Sequence, residues 1–214
     1  MPDVALAREI ASVAHRSRVR RNQLLFVEGM PAQVLYVVIS GQVKVYRTAA
    51  DGREQIIHLL GPDELVAVVP FFDRGPYPAT AEVVEDGELG CLTWAEMEHL
   101  VRERPRILLL VAQHFAARLR SAQEQIRSLG LYGAPARVAH LLLSLGEQFG
   151  TATPEGVAIE LDLTRRDLGA CVGLSRETTT RILTDFKKAG VISIDGKLVV
   201  IHDRDQLAAW AGQG

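Results

Sequence analysis

Apolar positions across residues 16–95 fall in short β-rich runs separated by turn signals at Glu28-Gly29, Ser40-Gly41, Asp51-Gly52, Gly61-Pro62, Gly75-Pro76 and Asp86-Gly87. Such spacing predicts a β-barrel or sandwich, with its clearest strands at 34–39, 43–47, 55–60 and 80–84 and a hairpin turning at Asp51-Gly52. Around Pro105 the period changes. Leu108, Val111, Phe115, Leu119, Ala122, Ile126 and Leu129 recur at spacings of three and four, predicting one amphipathic helix over 106–129, roughly 36 Å long. A stripe of that length outruns one side of a small barrel and points to a partner helix, most simply the same helix of a second subunit; packing on its own barrel is the other reading. Gly130 and Gly133 then interrupt the pattern and Pro135 opens another helix over 136–149, so a hinge falls between them. The rest reads as a small helical domain closed by a two-stranded wing, 191–194 and 198–201, turning at Asp195-Gly196. The class is α+β.

Within that last domain, 164–173 and 175–188 read as two helices separated by Gly173-Leu174. Leu168, Val172, Leu174, Ile182 and Leu183 are spaced to pack them together, a helix-turn-helix pattern. Thr164 caps the first helix with Asp167 in the capping-box position and Ser175 caps the second, which brings backbone N–H groups and hydroxyls towards phosphates. Arg176, Glu177, Thr180 and Arg181 share a face that can enter a major groove, where an arginine bonds a guanine edge and a glutamate accepts from a cytosine amine. The alternative is a solvated face laced with intrahelical ion pairs.

Charge changes the picture in one place. A net charge of −2, from 24 Lys+Arg against 26 Asp+Glu, argues against coating nucleic acid by bulk electrostatics. Residues 164–188 reverse the balance: Arg165, Arg166, Arg176, Arg181, Lys187 and Lys188 oppose Asp167, Glu177 and Asp185, six against three, or +3. Cys91 and Cys171 are the only cysteines, too few for a disulfide framework, a four-thiolate iron–sulfur cluster or a cysteine-based zinc site. His15, His58, His99, His114, His140 and His202 show no metal-ligand spacing, and neither a P-loop nor a nucleophile–base pairing appears. The expectation is therefore no catalytic residue, no metal site and no enzyme. No apolar run approaches the ~18 residues of a membrane span and the N-terminus lacks a signal-peptide core, so a cytoplasmic protein with no membrane partner is expected.

The stretch TRRDLGACVGLSRETTTRIL, residues 164–183, resembles the DNA-binding motif of the Crp/Fnr family of transcription regulators, and the likeness extends over nearly the whole chain. It implies a cyclic-nucleotide-binding-like β-barrel (jelly roll) effector domain over 1–104, a dimerisation helix over 105–130, a hinge at 131–135 and a winged helix-turn-helix over 136–214. The implied partners are a second copy of the chain, double-stranded DNA carrying a palindromic TGTGA-like operator, and RNA polymerase. Carried over, Arg176, Glu177 and Arg181 read bases, while Thr164, Arg165, Ser175, Thr178 and Lys197 hold phosphates. Leu108, Val111, Phe115, Ala122, Ile126 and Leu129 form the dimer interface. Thr179 departs from the family, which places an aliphatic residue there.

Residues 61–81 look like the family's phosphate-binding cassette, whose nucleotide-binding form carries Gly-Glu and Arg-Ser where this chain has Ala67-Val68 and Tyr77-Pro78. A cyclic nucleotide needs a carboxylate for the ribose and a guanidinium for the buried phosphate. With neither present, and with Ala122 and Gln123 where hydroxyls would meet the base, cAMP is not the expected ligand. The implied effector pocket comprises His58, Val66, Val68, Tyr77, Thr80, Ala122 and Gln123. Its apolar run, Val66 to Phe72, is either plain barrel core or a pocket remade for haem or another apolar ligand or gas sensor. His58 is then either hydrogen-bonded or an iron ligand.

Overall fold

A computed structural model describes residues 2–49, 52, 54–160 and 163–212. The chain divides into two compact units, Met1–Thr48 with Ile57–Ala122, and Ala49–Ile56 with Gln123–Gly214.

In the first unit a helix, α1 (Pro2–Ala11), precedes β1 (His15–Val19), β2 (Leu24–Phe26), β3 (Val34–Thr48), β4 (Glu54–Leu60) and β5 (Leu65–Val66). A short helix α2 (Val68–Asp73), strand β6 (Thr80–Thr93) and helix α3 (Trp94–Glu103) follow, and then the long α4 (Ile107–Leu131), whose residues from Gln123 onward belong to the second unit. The strands form one six-stranded sheet in the order β1-β6-β3-β4, with β2 added to β6 and β5 to β3. Among the described residues that path does not return on itself, so the expected barrel is an open sheet: closure requires its two end strands to hydrogen-bond, and β1 and β4 remain ends.

Two turn signals are also corrected. Ser40-Gly41 and Asp86-Gly87 lie inside β3 and β6, where the register slips between Val38 and Val43. Gly41 has φ +81°, and a Cβ on it would sit 2.7 Å from the Glu85 carbonyl oxygen; one on Gly87 would sit 2.1 Å from that of Ser40. The glycines allow two backbones to cross closely at a bulge, which bends the strands without ending them. The hairpin expected at Asp51-Gly52 lies partly outside the described residues; β3 and β4 are paired.

Two buried clusters follow from the bend. Leu6 and Ile10 of α1, Leu35 of β3, Phe71 of α2, Leu100 of α3 and Ile107 of α4 make one; Phe26, Val38, Val43, Tyr77 and Leu89 belong to the other.

The second unit contains α5 (Ala134–Phe149), β7 (Thr151–Thr153), β8 (Gly156–Glu160), α6 (Arg165–Val172), α7 (Arg176–Lys188), β9 (Ile192–Asp195), β10 (Leu198–Ile201) and α8 (Arg204–Ala211). Its sheet runs β7-β8-β10-β9, so the wing expected as two strands has four. β8 pairs β10 with Ile159 opposite Val199, burying both side chains beneath the helices. Among the described residues no helix is long and apolar enough to cross a membrane.

Candidate nucleic-acid interface

The expected caps form. At the start of α6 the Asp167 N–H donates to Thr164 Oγ1 at 3.2 Å, and the Asp167 carboxylate accepts from the Thr164 N–H at 2.9 Å and its hydroxyl at 2.7 Å. At the start of α7 the Thr178 N–H donates to Ser175 Oγ, and the Ser175 hydroxyl donates to Thr178 Oγ1, each at 3.2 Å. These bonds set where the helices begin. They also direct the Thr164 and Ser175 hydroxyl protons inward, leaving the cationic side chains as the outward-facing donors.

Gly173, with φ +65°, makes the turn between α6 and α7. Arg137 of α5 reaches under it and donates from Nη1 to the Val172 carbonyl at 2.7 Å, closing the C-terminus of α6. Sequence reasoning missed Arg137; its signal is a lone cation among the apolar positions of α5. It also missed Gly169, on which a Cβ would lie 2.7 Å from the Leu174 carbonyl oxygen and 2.9 Å from Thr179 Oγ1. Thr179 is fully buried and donates its hydroxyl to the Ser175 carbonyl at 2.9 Å. A polar side chain is tolerated in the packing face because the preceding turn satisfies it and Gly169 makes room.

With Thr179, Ile182, Leu183 and Phe186 turned inward, α7 exposes Arg176, Glu177, Thr180, Arg181 and Thr184. Neither Arg176 nor Arg181 forms a salt bridge among the described residues, and both guanidinium groups are exposed to solvent. Glu177 is held below its ordinary carboxylate value by its own backbone N–H, the Ser175 side chain and Arg176, and stays ionised near neutrality. Thr178 is half-buried beside its cap.

Thr164, Arg165 and Lys197 come together at the mouth of a cavity of about 200 Å³ between α5, β8, α6 and the β9–β10 turn. Leu142, Leu145, Ile159, Leu168 and Val199 line its apolar interior. Burial lowers the pKa of the Arg165 guanidinium. Burial also pushes the Cys171 thiol up to about 12, with Asp167 adding to the effect, which leaves it a poor nucleophile.

The residues read as an effector pocket are spread over two core clusters, a strand edge and exposed positions. Val66 and Tyr77 belong to one core cluster and Val68 to the other, all buried. The Tyr77 ring stacks on Phe26 with centroids 3.7 Å apart, and its hydroxyl donates to the Val34 carbonyl at 3.2 Å. Thr80 Oγ1 accepts from the Glu28 N–H, and Ala122 and Gln123 are exposed. Most of the apolar run is core because α2, bounded by Ala67 and Arg74, both left-handed at φ 70° and 60°, turns Val68, Pro70 and Phe71 inward, while Val69 is exposed. His58 stands apart: Arg118 Nη1 lies 3.3 Å from its Nδ1, and burial, aided by Arg118, lowers its pKa to about 4.

The stripe expected on α4 divides between two sides of the helix. Val111 is buried in the first unit's core and Phe115 packs against it, whereas Leu108, Leu109, Ala112, Ala116, Leu119 and Ala122 are exposed, Leu109 and Leu119 by 61% and 62%. The side chains of Ile126 and Leu129 lie outside the described residues.

An open β-rich domain, a long helix and a winged helix-turn-helix with an exposed charged reading face define a DNA-binding regulator. Residues 16–104 match the family model of a cyclic nucleotide-binding domain, and residues 136–210 that of a Crp-like helix-turn-helix domain. The chain is 34% identical over 191 residues to the CRP-like cAMP-activated global transcriptional regulator of Mycobacterium tuberculosis, covering 89% of this chain and 85% of that one. It is 29% identical to the anaerobic regulatory protein of Bacillus subtilis, over 92% of this chain and 84% of that one. The structure of FixK2 from Bradyrhizobium japonicum superposes with a TM-score of 0.83 at 25% identity, covering 94% of this chain and 99% of that one. The chain belongs to the Crp/Fnr family, whose members are transcription regulators and not enzymes.

Proposed function

We propose that the protein works in the cytoplasm as a homodimer that binds a two-fold operator with TGTGA-like half-sites and touches RNA polymerase from there. One observation carries this reading: Arg176, Glu177 and Arg181 stand exposed together on α7, the arginines without ion-pair partners among the described residues, while Arg165 and Lys197 meet beside α6. The α7 side chains suit base edges and the flanking cations suit phosphates. The dimer forms through the exposed side of α4, where Leu109, Ala112, Ala116 and Leu119 recur at spacings of three, four and three. Selection of bound duplexes from a random pool tests the assignment. Sites without two-fold symmetry, or an unchanged base preference after Arg181→Ala, would remove α7 as the reading helix.

Cyclic AMP is not the effector in this reading, although the relative in Mycobacterium tuberculosis is named cAMP-activated. Val68 and Tyr77 occupy the places of the carboxylate and guanidinium, and both are packed into core. Titration calorimetry should give no heat with cAMP, and micromolar binding that tightens operator affinity would overturn this. A haem or small-ligand sensor centred on His58 is the competing reading, favoured by an imidazole kept neutral in a half-buried site. Arginine can only donate, so Nδ1 accepts and the ring proton sits on Nε2, leaving neither nitrogen open to iron while the Arg118 bond lasts. Protein expressed with ample haem should show no Soret band.

A further inference from the structure

Lys187 and Lys188 close the basic window of residues 164–188 and take no part in the contacts assigned so far. Both are exposed at the C-terminal end of α7, and neither forms an ion pair or a side-chain hydrogen bond among the described residues. Each stands eleven positions after a residue of the reading face, Lys187 after Arg176 and Lys188 after Glu177. Eleven residues make about three turns, so the lysines lie on the same side of α7 as the charged residues that face outward at its start, roughly 16.5 Å further along the axis. Arg176 to Arg181 takes up only about 7.5 Å of that length. A recognition helix meets base edges with its N-terminal residues, and a major groove is about 12 Å wide, so a straight helix has reached the groove wall by its last turn. That wall is a row of phosphates. The turn carrying the lysines is firmly seated: Phe186 before it and Val191 after it are fully buried, and the Val191 N–H donates to the Phe186 carbonyl at 3.1 Å.

We propose, resting on α7 as the reading helix, that Lys187 and Lys188 are a second clamp on the DNA backbone, meeting phosphates at the groove wall beyond the bases read by Arg176, Glu177 and Arg181. An ammonium on a flexible stem supplies charge and donors without sequence information. The clamp therefore adds affinity and fixes how α7 lies in the groove, and base choice stays with the residues upstream. Cations in a last turn also offset the helix macrodipole, but that role alone bears on stability and not on DNA.

The test uses the full chain and an operator obtained by selection, with affinity measured from roughly 50 to 200 mM salt. In Lys187→Gln combined with Lys188→Gln the salt slope should fall by about 0.9 for each phosphate contact removed, which makes the loss of affinity over that range about 3.5-fold smaller per contact. Base preference should be unchanged, and Lys187→Arg combined with Lys188→Arg should keep the parent's slope. Methylphosphonates placed singly along each strand locate the contacts: neutralising phosphates beside each half-site should weaken the parent severalfold and the glutamine variant not at all. A slope and a phosphate scan equal to the parent's, with only the urea midpoint lowered, would overturn the proposal and leave the lysines as helix-end charges. An altered base preference in the glutamine variant would overturn it too. Selection with Arg181→Ala separates the two readings. A changed preference there, with a phosphate scan blind to the lysines, keeps α7 as the reading helix and removes the clamp. An unchanged preference, with a scan that responds to the lysines, removes the reading helix and leaves the phosphate contacts standing.

Discussion

Thr179 and Gly169 show how a single side chain can be plain in the sequence while its reason is not. Thr179 is visible as a departure from family pattern, but its hydroxyl is satisfied by the Ser175 carbonyl and accommodated by a glycine on the neighbouring helix. Those are tertiary facts. Gly169→Ala should therefore lower stability by about 1–3 kcal/mol through overpacking, read as a reduced urea midpoint; an unchanged midpoint would mean that α6 and α7 separate freely. The caps at Thr164 and Ser175 were legible because a capping bond closes within one turn. Arg137 was not, since its partner Val172 lies 35 positions away. His58 carries a pH signature of known sign. Folded, it takes up a proton only near pH 4, whereas the unfolded chain does so near its ordinary value of 6.5. Its stabilising contribution is complete above about 6.5 and lost as pH falls from there towards 4. Midpoints measured at pH 7 and pH 5 should differ less in His58→Phe than in the parent, and an equal difference would show that other groups carry the acid sensitivity.

Periodicity located every long helix of the second unit and α4, yet it could not say which side of α4 meets what. The helix is apolar on two faces. Ile107 and Val111 are buried in their own domain, while Leu109, Ala112, Ala116 and Leu119 are exposed, and a spacing of three or four fits both sets. Ala116→Glu combined with Leu119→Glu should yield monomers in sedimentation velocity with the fold intact. Phe115→Ala should instead destabilise the first unit. Dimers surviving the double glutamate would place the interface on another surface. α2 was missed for a different reason: its sequence, VVPFFD, favours a strand, and the left-handed residues that bound it, Ala67 and Arg74, are neither glycine nor asparagine. β8 escaped because it is short and completes its hydrogen bonds with β10, about 40 residues later in the chain.

For the molecule as a whole, the order of domains was readable from turn spacing, a change of period and a charge reversal, each of which is local. The open form of the sheet was not, because the path of a sheet depends on which distant edges pair, and the glycines that looked like turns serve a crossing of β3 and β6. At this scale DNA binding becomes measurable. Two reading helices on one DNA face require half-site centres about one helical turn, roughly 34–36 Å, apart. Arg181→Ala should cost about 1–3 kcal/mol on the selected operator and relax one base pair in each half-site. Lys197→Ala should weaken all duplexes alike and reduce the salt slope by about 0.9 for each phosphate that is no longer neutralised. An unaltered slope would take the wing off the DNA backbone.

The hydroxyls of α7 carry one more implication. Thr180 donates to the Arg176 carbonyl at 2.7 Å and Thr184 to that of Thr180 at 2.8 Å, although both residues are exposed. With those protons turned back onto their own helix, the two hydroxyls offer no donor to a groove, and each threonine also carries a methyl group. The base substituent that a threonine methyl favours in a major groove is the 5-methyl of thymine. The reading helix would then sense a single carbon atom on the DNA as well as its donors and acceptors. An operator with uracil in place of thymine keeps every hydrogen bond but offers the threonines no methyl, and cytosine methylated at the same carbon regains the methyl without the base.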